Sequence, residues 1–223
     1  MGIRELYADG RERLCDLALT LGPEDAELPV PACPGWTVKD VFSHVSGVCS
    51  DVLAGRLHGV ATDPWTAAQV SARAAAALPE VIAEWRSSAE AFDALLNDDA
   101  PRQLIVDLWT HEQDIRGALG VRGGRDSAQV VYAVGAMAAA FGDGWGDRPL
   151  VRIVGESGSW DLGSPGSVEE PAATLRASDF ELARAFVGRR SRSQFLALGW
   201  EGDGSPFVDH LHAFPYPSAD LVE

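Results

Sequence analysis

At 223 residues the chain can bury a sizeable core, as one large domain or as a domain with a smaller companion. Its formal charge of -15 and pI near 4.6 argue against nucleic acid as a partner, because contact with phosphates needs clustered Lys and Arg. No apolar run approaches the roughly twenty residues of a membrane span, and Met1-Gly2-Ile3-Arg4-Glu5 lacks the layout of a signal peptide, so a cytoplasmic protein without a membrane partner is expected.

In chain order, Ile3, Leu6, Leu14, Leu17 and Leu21 fall on one helical face, and Gly22-Pro23 stops that helix. A Pro-rich passage over residues 29–35 leads into a second helix whose start is plainly written. Thr37 caps the first turn, Asp40 returns the bond three residues on, and Trp36 can pack on Val41 as a hydrophobic staple. Val38, Val41, Val45 and Val48 give the buried face of this helix, and His44 lies on that face. Leu78, Val81, Ile82, Trp85, Ala89, Phe92 and Leu96 describe a third helix, bent at Pro79 if it begins earlier. The fourth, over about 102–119, is closed by Gly120, a suitable residue for a left-handed cap.

Four amphipathic helices with modest connections predict an up-and-down four-helix bundle, so the fold class is mainly α. A fifth helix, capped by Asp126 or Ser127, runs through Val130, Val134, Met137 and Phe141 before Gly142, Gly144 and Gly146 loosen the chain. Residues 150–154 and 173–176 then read as strands, and Ser178-Asp179-Phe180-Glu181 opens a helix that ends at Gly188. This change of texture places a boundary near 146: a helical bundle over 1–146 and a small α+β domain over 147–223. The tail beyond Gly199 has no assigned structure.

The fourth helix carries the chemistry. Asp107 and His111, four residues apart, share one helical face, and Asp114 lies on or beside it among Leu104, Leu108, Ile115 and Ala118. A carboxylate on a buried face needs a partner, and no lysine is at hand. His44 alone would read as a hydrogen-bonded core residue. With Asp107 and His111 it completes two imidazoles and one carboxylate, a ligand set that leaves a metal coordination position open for water or substrate. Asp114 is either an alternative ligand or the acceptor that orients His111, and Glu112 projects elsewhere, towards solvent. Trp36 and Trp109 read as packing residues, and Cys15, Cys33 and Cys49 as buried or incidental thiols. His58, His210 and His212 have no recognisable partner, although the last two form a His-x-His.

Three stretches resemble the mycothiol-dependent maleylpyruvate isomerase family of DinB-like metal-binding bundles. They are Pro31-Ala32-Cys33-Pro34-Gly35-Trp36-Thr37 followed by a helix and His44; the run from Asp107 through His111 and Asp114 to Gly120; and Ser178-Asp179-Phe180-Glu181-Leu182 with Gly188-Arg189-Arg190-Ser191 and Gly199-Trp200-Glu201-Gly202-Asp203. The last is similar to the domain that follows the bundle in many members. The resemblance implies that His44, Asp107 and His111 fall on metal-ligand positions for a divalent ion, usually zinc. The best-known isomerases carry glutamate where this chain has Asp107, and a shorter carboxylate draws the ion towards its helix or admits a water.

By the same likeness the activity is that of a metal-dependent enzyme using mycothiol as its small-thiol co-substrate on a small-molecule substrate. Either cis-trans isomerisation of an unsaturated acid or thiol S-transfer would follow. Arg189 and Arg190 are candidates for holding a carboxylate of substrate or thiol, against the plainer reading that they favour the negative pole of a helix end. Two other readings stay open. One is a metal-assisted hydrolase with Asp114 as general base, and the other is a non-catalytic metal-binding or regulatory protein.

Overall fold

The computed structural model describes residues 1–163 and 170–223, and its contacts divide them into two compact units, Met1–Gly123 with Glu223, and Gly124–Val222. The first unit is helical: α1 (Ile3–Ala18), a single turn α2 (Pro23–Ala26), α3 (Val38–Leu53), α4 (Asp63–Ala72), α5 (Leu78–Leu95) and α6 (Gln103–Leu119). Helices α1, α5, α3 and α6 pack as a closed ring of neighbours, with α4 laid against α3. This is the four-helix bundle expected from the apolar stripes.

Local chemistry sets the helix ends. Thr37 Oγ1 accepts from the Asp40 amide at 3.2 Å while Asp40 Oδ2 accepts from the Thr37 amide at 2.9 Å, so the reciprocal cap forms as the spacing predicts. Gly120 adopts φ 66° and ends α6 in the left-handed conformation that side-chain-bearing residues resist. Pro79 lies in the first turn of α5, where its missing N–H costs nothing, so α5 begins there and has no proline bend. Helix α4 has no counterpart in the apolar periodicity, because nearly all of its residues face outward.

Leu14, Phe42, Trp85, Phe92, Ile105, Leu108 and Trp109 fill the bundle interior. Several polar atoms inside it find partners. Trp85 Nε1 donates to Cys49 Sγ at 3.1 Å and Tyr7 Oη lies 3.1 Å from the same sulfur, while burial pushes the Cys49 thiol up to about 11. A thiol so placed stays protonated and is a packing group, as expected. Arg11 ties α1 to α5 through paired bonds of 2.6 and 2.8 Å to Asp93.

Glu112 departs from its expected place in solvent. It is fully buried, and it accepts from Arg13 of α1 at 2.6 Å and from Arg116 one turn along α6 at 3.0 Å. Its neutralising partners are arginines, one on its own helix and one from a helix almost a hundred residues away, a pairing that helical spacing within α6 does not announce.

In the second unit, α7 (Ala128–Asp143) packs on α8 (Asp179–Phe186) and on a four-stranded sheet, which is why the division falls after Gly123 and not near 146. The sheet order is β2-β1-β3-β4, formed by Ser159–Leu162, Val151–Val154, Ala173–Arg176 and Gly199–Glu201. The central pair β1/β3 is parallel and both flanking pairs are antiparallel. A short helix α9 (Arg192–Leu196) and a 3-10 turn at Val208–His210 complete the unit. The tail is anchored by Gln194 Nε2 donating to the Leu221 carbonyl at 2.7 Å and by Tyr216 Oη donating to the Val208 carbonyl at 2.8 Å.

Replacing Glu112 with Ala leaves two arginines facing each other across α1 and α6. Loss of about 3 kcal/mol in urea unfolding is expected, the lower end for a broken buried pair because both arginines keep some exposure. A loss well under about 1 kcal/mol, typical of exposed pairs, would show that this network does not hold the helices together.

Candidate metal centre

The site is assembled from α3, α6, the turn before α3 and the outlying α4. Asp107 and His111, one turn apart on α6, meet His44 from α3. His44 Nε2 lies 3.5 Å from Asp107 Oδ2, and His111 Nε2 lies 3.5 Å from Asp107 Oδ1. One ligand atom from each of the three residues falls within 4.8 Å of the other two, and the imidazole centroids are 4.9 Å apart with planes at 81°.

Both rings turn the same nitrogen inward. His44 Nδ1 is 2.7 Å from Gln69 Oε1, and His111 Nδ1 is 3.1 Å from Asp114 Oδ2. Each far nitrogen meets an acceptor, which keeps a proton on Nδ1 and turns Nε2, the atom a metal would take, towards the carboxylate. Asp114 is buried and also accepts from the Cys33 thiol at 3.2 Å, so its oxygen is engaged as an orienting acceptor.

These distances suit an ion better than direct pairing. Donor atoms about 2.1 Å from a tetrahedral zinc stand about 3.4 Å from one another, whereas a charge-assisted hydrogen bond would close to about 2.8 Å. The electrostatics favour positive charge at the same point. Burial opposes ionisation of Asp107, but the attraction of His44 and His111 outweighs it and holds the carboxyl well below the usual carboxylate range. Burial likewise works against charge on His111, yet Asp107 outweighs it and raises the imidazole well above its ordinary value. The donor set of two nitrogens and one oxygen therefore fits a borderline ion such as Zn²⁺.

The walls are aromatic. The turn before α3, pinned by the bridge between Pro29 and Thr37, carries Trp36 over both rings, 5.4 Å from His44 and 6.3 Å from His111 between centroids. Trp65 of α4 meets His44 edge-on at 6.4 Å. The imidazoles are nearly covered, with side-chain exposures of 4% for His44 and 11% for His111, whereas Asp107 keeps 38%. Access to the centre is thus from the carboxylate side.

The structure brings His44, Asp107, His111 and Asp114 together. Arg189 and Arg190 belong to the other unit. There Arg190 is buried and forks onto Glu181 at 2.7 and 2.9 Å, so a carboxylate of the protein itself holds the guanidinium proposed for a substrate. Arg189 Nη1 lies 3.5 Å from the Val187 carbonyl at the end of α8. His58, His210 and His212 join no group of three ligand-type residues among the described residues. Three further participants, Gln69, Trp65 and Cys33, stand outside the ligand pattern that the sequence announces. A start signal for α4 was present in Thr62-Asp63-Pro64, with proline in the first turn, but the apolar pattern behind it is weak.

Residues 7–116, which include all of these groups, match the family model described as the mycothiol maleylpyruvate isomerase N-terminal domain. The helical unit belongs to that family. Crystal structures of the mycothiol-dependent maleylpyruvate isomerase are similar in fold to this chain: a mutant form at TM-score 0.54 and 12% identity, and a second structure at 0.51 and 11%. Each comparison covers 83% of this chain and 88% of the other. No curated protein matches the chain. Among the described residues no helix is long and apolar enough to cross a membrane.

Two outcomes follow from the geometry. Asp114→Asn puts an amide that can flip its NH₂ towards His111 in place of an obligate acceptor, and it should weaken zinc binding about 10- to 100-fold in a chelator competition while leaving helical content unchanged; parent affinity in the variant would contradict the orienting role. In the second unit, burial opposes the charge on Glu181 but Arg190 outweighs it and holds the carboxyl below the usual range. Such a group adds stability above its unfolded value of about 4.3 and loses it as pH falls through the lower folded value. Arg190→Ala should therefore lower the urea midpoint at neutral pH, with the gap to the parent shrinking below about pH 4. A gap that stays constant with pH would assign the loss to the packing of the Arg190 guanidinium over the Phe180 ring, 5.7 Å from its centroid.

Proposed function

We propose that the protein is a metal-dependent enzyme that activates a small thiol of the mycothiol type, with His44, Asp107 and His111 holding a divalent ion for which zinc is the best fit. The observation that carries this reading is the pair of imidazoles with both Nδ1 atoms against acceptors and both Nε2 atoms on one carboxylate. A divalent cation held there supplies Lewis acidity that favours thiolate over thiol at neutral pH.

The protein's own groups do the rest. Gln69 and Asp114 keep the rings aimed, Asp107 sets the charge of the site, and Trp36 and Trp65 keep bulk water from the rings. The reaction proposed is cis-trans isomerisation of an unsaturated acid. The thiolate adds to one carbon of the conjugated double bond, a C–S bond forms, and the π electrons move onto the conjugated carbonyl oxygen. Rotation about the new single bond follows, the electrons return, the C–S bond breaks and the thiolate leaves unconsumed. On a substrate with an epoxide or a leaving group, the same activation gives S-transfer.

The geometry favours this over the alternatives. Hydrolysis would require Asp114 to take a proton from water, yet that carboxylate is buried and already bonded to His111 and Cys33. A purely structural metal site ordinarily has four protein ligands, whereas this cluster offers three among the described residues. Arg189 and Arg190 are given no part in the reaction.

Protein purified without added metal should carry stoichiometric metal by elemental analysis, absent from both His44→Ala and His111→Ala. Metal retained by both variants rejects the ligand set. Turnover of a conjugated cis-unsaturated acid should require added thiol, and activity that survives removal of every small thiol points to the hydrolase.

A further inference from the structure

Gln69 occupies an unusual position. Helix α4 exposes or half-exposes its other residues and buries this one, a polar side chain where a helix on a bundle ordinarily inserts an apolar one. Its two amide ends are both used. Nε2 donates to Asp51 Oδ2 at 2.8 Å, and Oε1 meets His44 Nδ1 at 2.7 Å. Asp51 in turn accepts from Arg56 Nε at 2.8 Å.

The order of this chain is forced. An ion-paired carboxylate can only accept, so Gln69 must turn its NH₂ to Asp51 and its carbonyl oxygen to His44. A carbonyl oxygen can only accept, so His44 Nδ1 must carry the proton. In the neutral ring Nε2 is then bare, and it faces Asp107 and His111. We infer that Gln69 is the positioning residue for His44: the relay Arg56–Asp51–Gln69 selects the His44 tautomer whose Nε2 can bind the ion.

Packing around Gln69 serves the same end. A Cβ on Gly47 would lie 2.6 Å from Gln69 Cβ and 2.7 Å from its Cγ, so glycine in the middle of α3 is what lets α4 approach closely enough. Arg73, one turn beyond, donates to the Gln69 carbonyl at 3.0 Å, to Ser50 Oγ at 2.9 Å and to Glu84 Oε2 at 2.9 Å. It thereby fastens α4 to α3 and α5. A helix with so small an apolar face is held down by a buried polar chain and an arginine clamp, and the buried end of that chain is His44.

The inference rests on the metal reading above, and two measurements separate them. Histidine ¹⁵N NMR of the metal-free protein in mildly alkaline buffer should show His44 as the single Nδ1–H tautomer. Gln69→Leu should give a mixed tautomer signal, with zinc affinity in a chelator competition reduced about 10- to 100-fold and the His111 signals unmoved. The double variant Asp51→Asn/Gln69→Glu reverses the relay's chemistry while keeping an acceptor on His44, because the new amide donates to the new carboxylate and still accepts from Arg56. It should restore the single tautomer and most of the zinc affinity, and it serves as the test should Gln69→Leu fail to fold. Parent-like tautomer and affinity in Gln69→Leu, or a mixed tautomer in the double variant, overturns the inference alone. A parent with the Nδ1–H tautomer but no stoichiometric zinc overturns the metal reading and, with it, the purpose assigned to the relay.

Discussion

Two imidazole rings gripped by their outer nitrogens are the constraint on which the rest of the site depends. A histidine within a helical bundle has two ring nitrogens and no intrinsic preference that would reserve one for a metal. Here an amide oxygen from α4 and a carboxylate from α6 make that choice, and both inner nitrogens then meet one acid. Without those two acceptors, each ring could protonate Nε2 and bond Asp107 directly. The site would then collapse into an ordinary buried ion-pair cluster, stable but with no electron pairs to offer.

The bundle tolerates this polar interior because each charge is balanced close by. Glu112 is met by Arg13 and Arg116, Asp93 by Arg11, and Glu84 by Arg73. Breaking any one of these would leave an uncompensated charge near a low-dielectric core, which costs more than the intact pair contributes. The arginines are drawn mostly from other helices, so the same contacts that neutralise charge also fix helix register around His44 and Asp107. Stability and site geometry are therefore coupled through polar contacts, while the apolar core of Trp85, Phe92, Ile105 and Trp109 supplies most of the driving force.

What was legible in the sequence was whatever repeats at helical spacing. The four main helices, the Thr37 cap, the Gly120 cap and the facing of His44 towards Asp107 and His111 follow from periodicity and local hydrogen bonding, with the β1 and β3 strands from short apolar runs. The parts that were not legible are those set by distant pairing. Helix α4 has almost no apolar face to detect, Glu112 is buried by an arginine far along the chain, and Cys33 reaches Asp114 through a turn whose shape no pattern announces. The contact-based units divide after Gly123, whereas the change of texture lies near 146: α7 has the composition of a bundle helix, yet it packs on α8 and β2. Residues 164–169, between the two stretches that read as strands, lie outside the described residues.

Asp107 shows how the shorter acid shapes access to the centre. Both imidazoles are nearly covered, one by its place on α3 and both by the Trp36 ring, so the carboxylate is the most exposed member of the set. Its two oxygens each approach a different Nε2, which centres the acid between the rings. The most open side of the cluster is therefore that of Asp107, a negative group beside the aromatic rings of Trp36 and Trp65. On the function proposed above, that negative side disfavours a thiolate arriving from solvent and suits a neutral thiol that ionises at the centre.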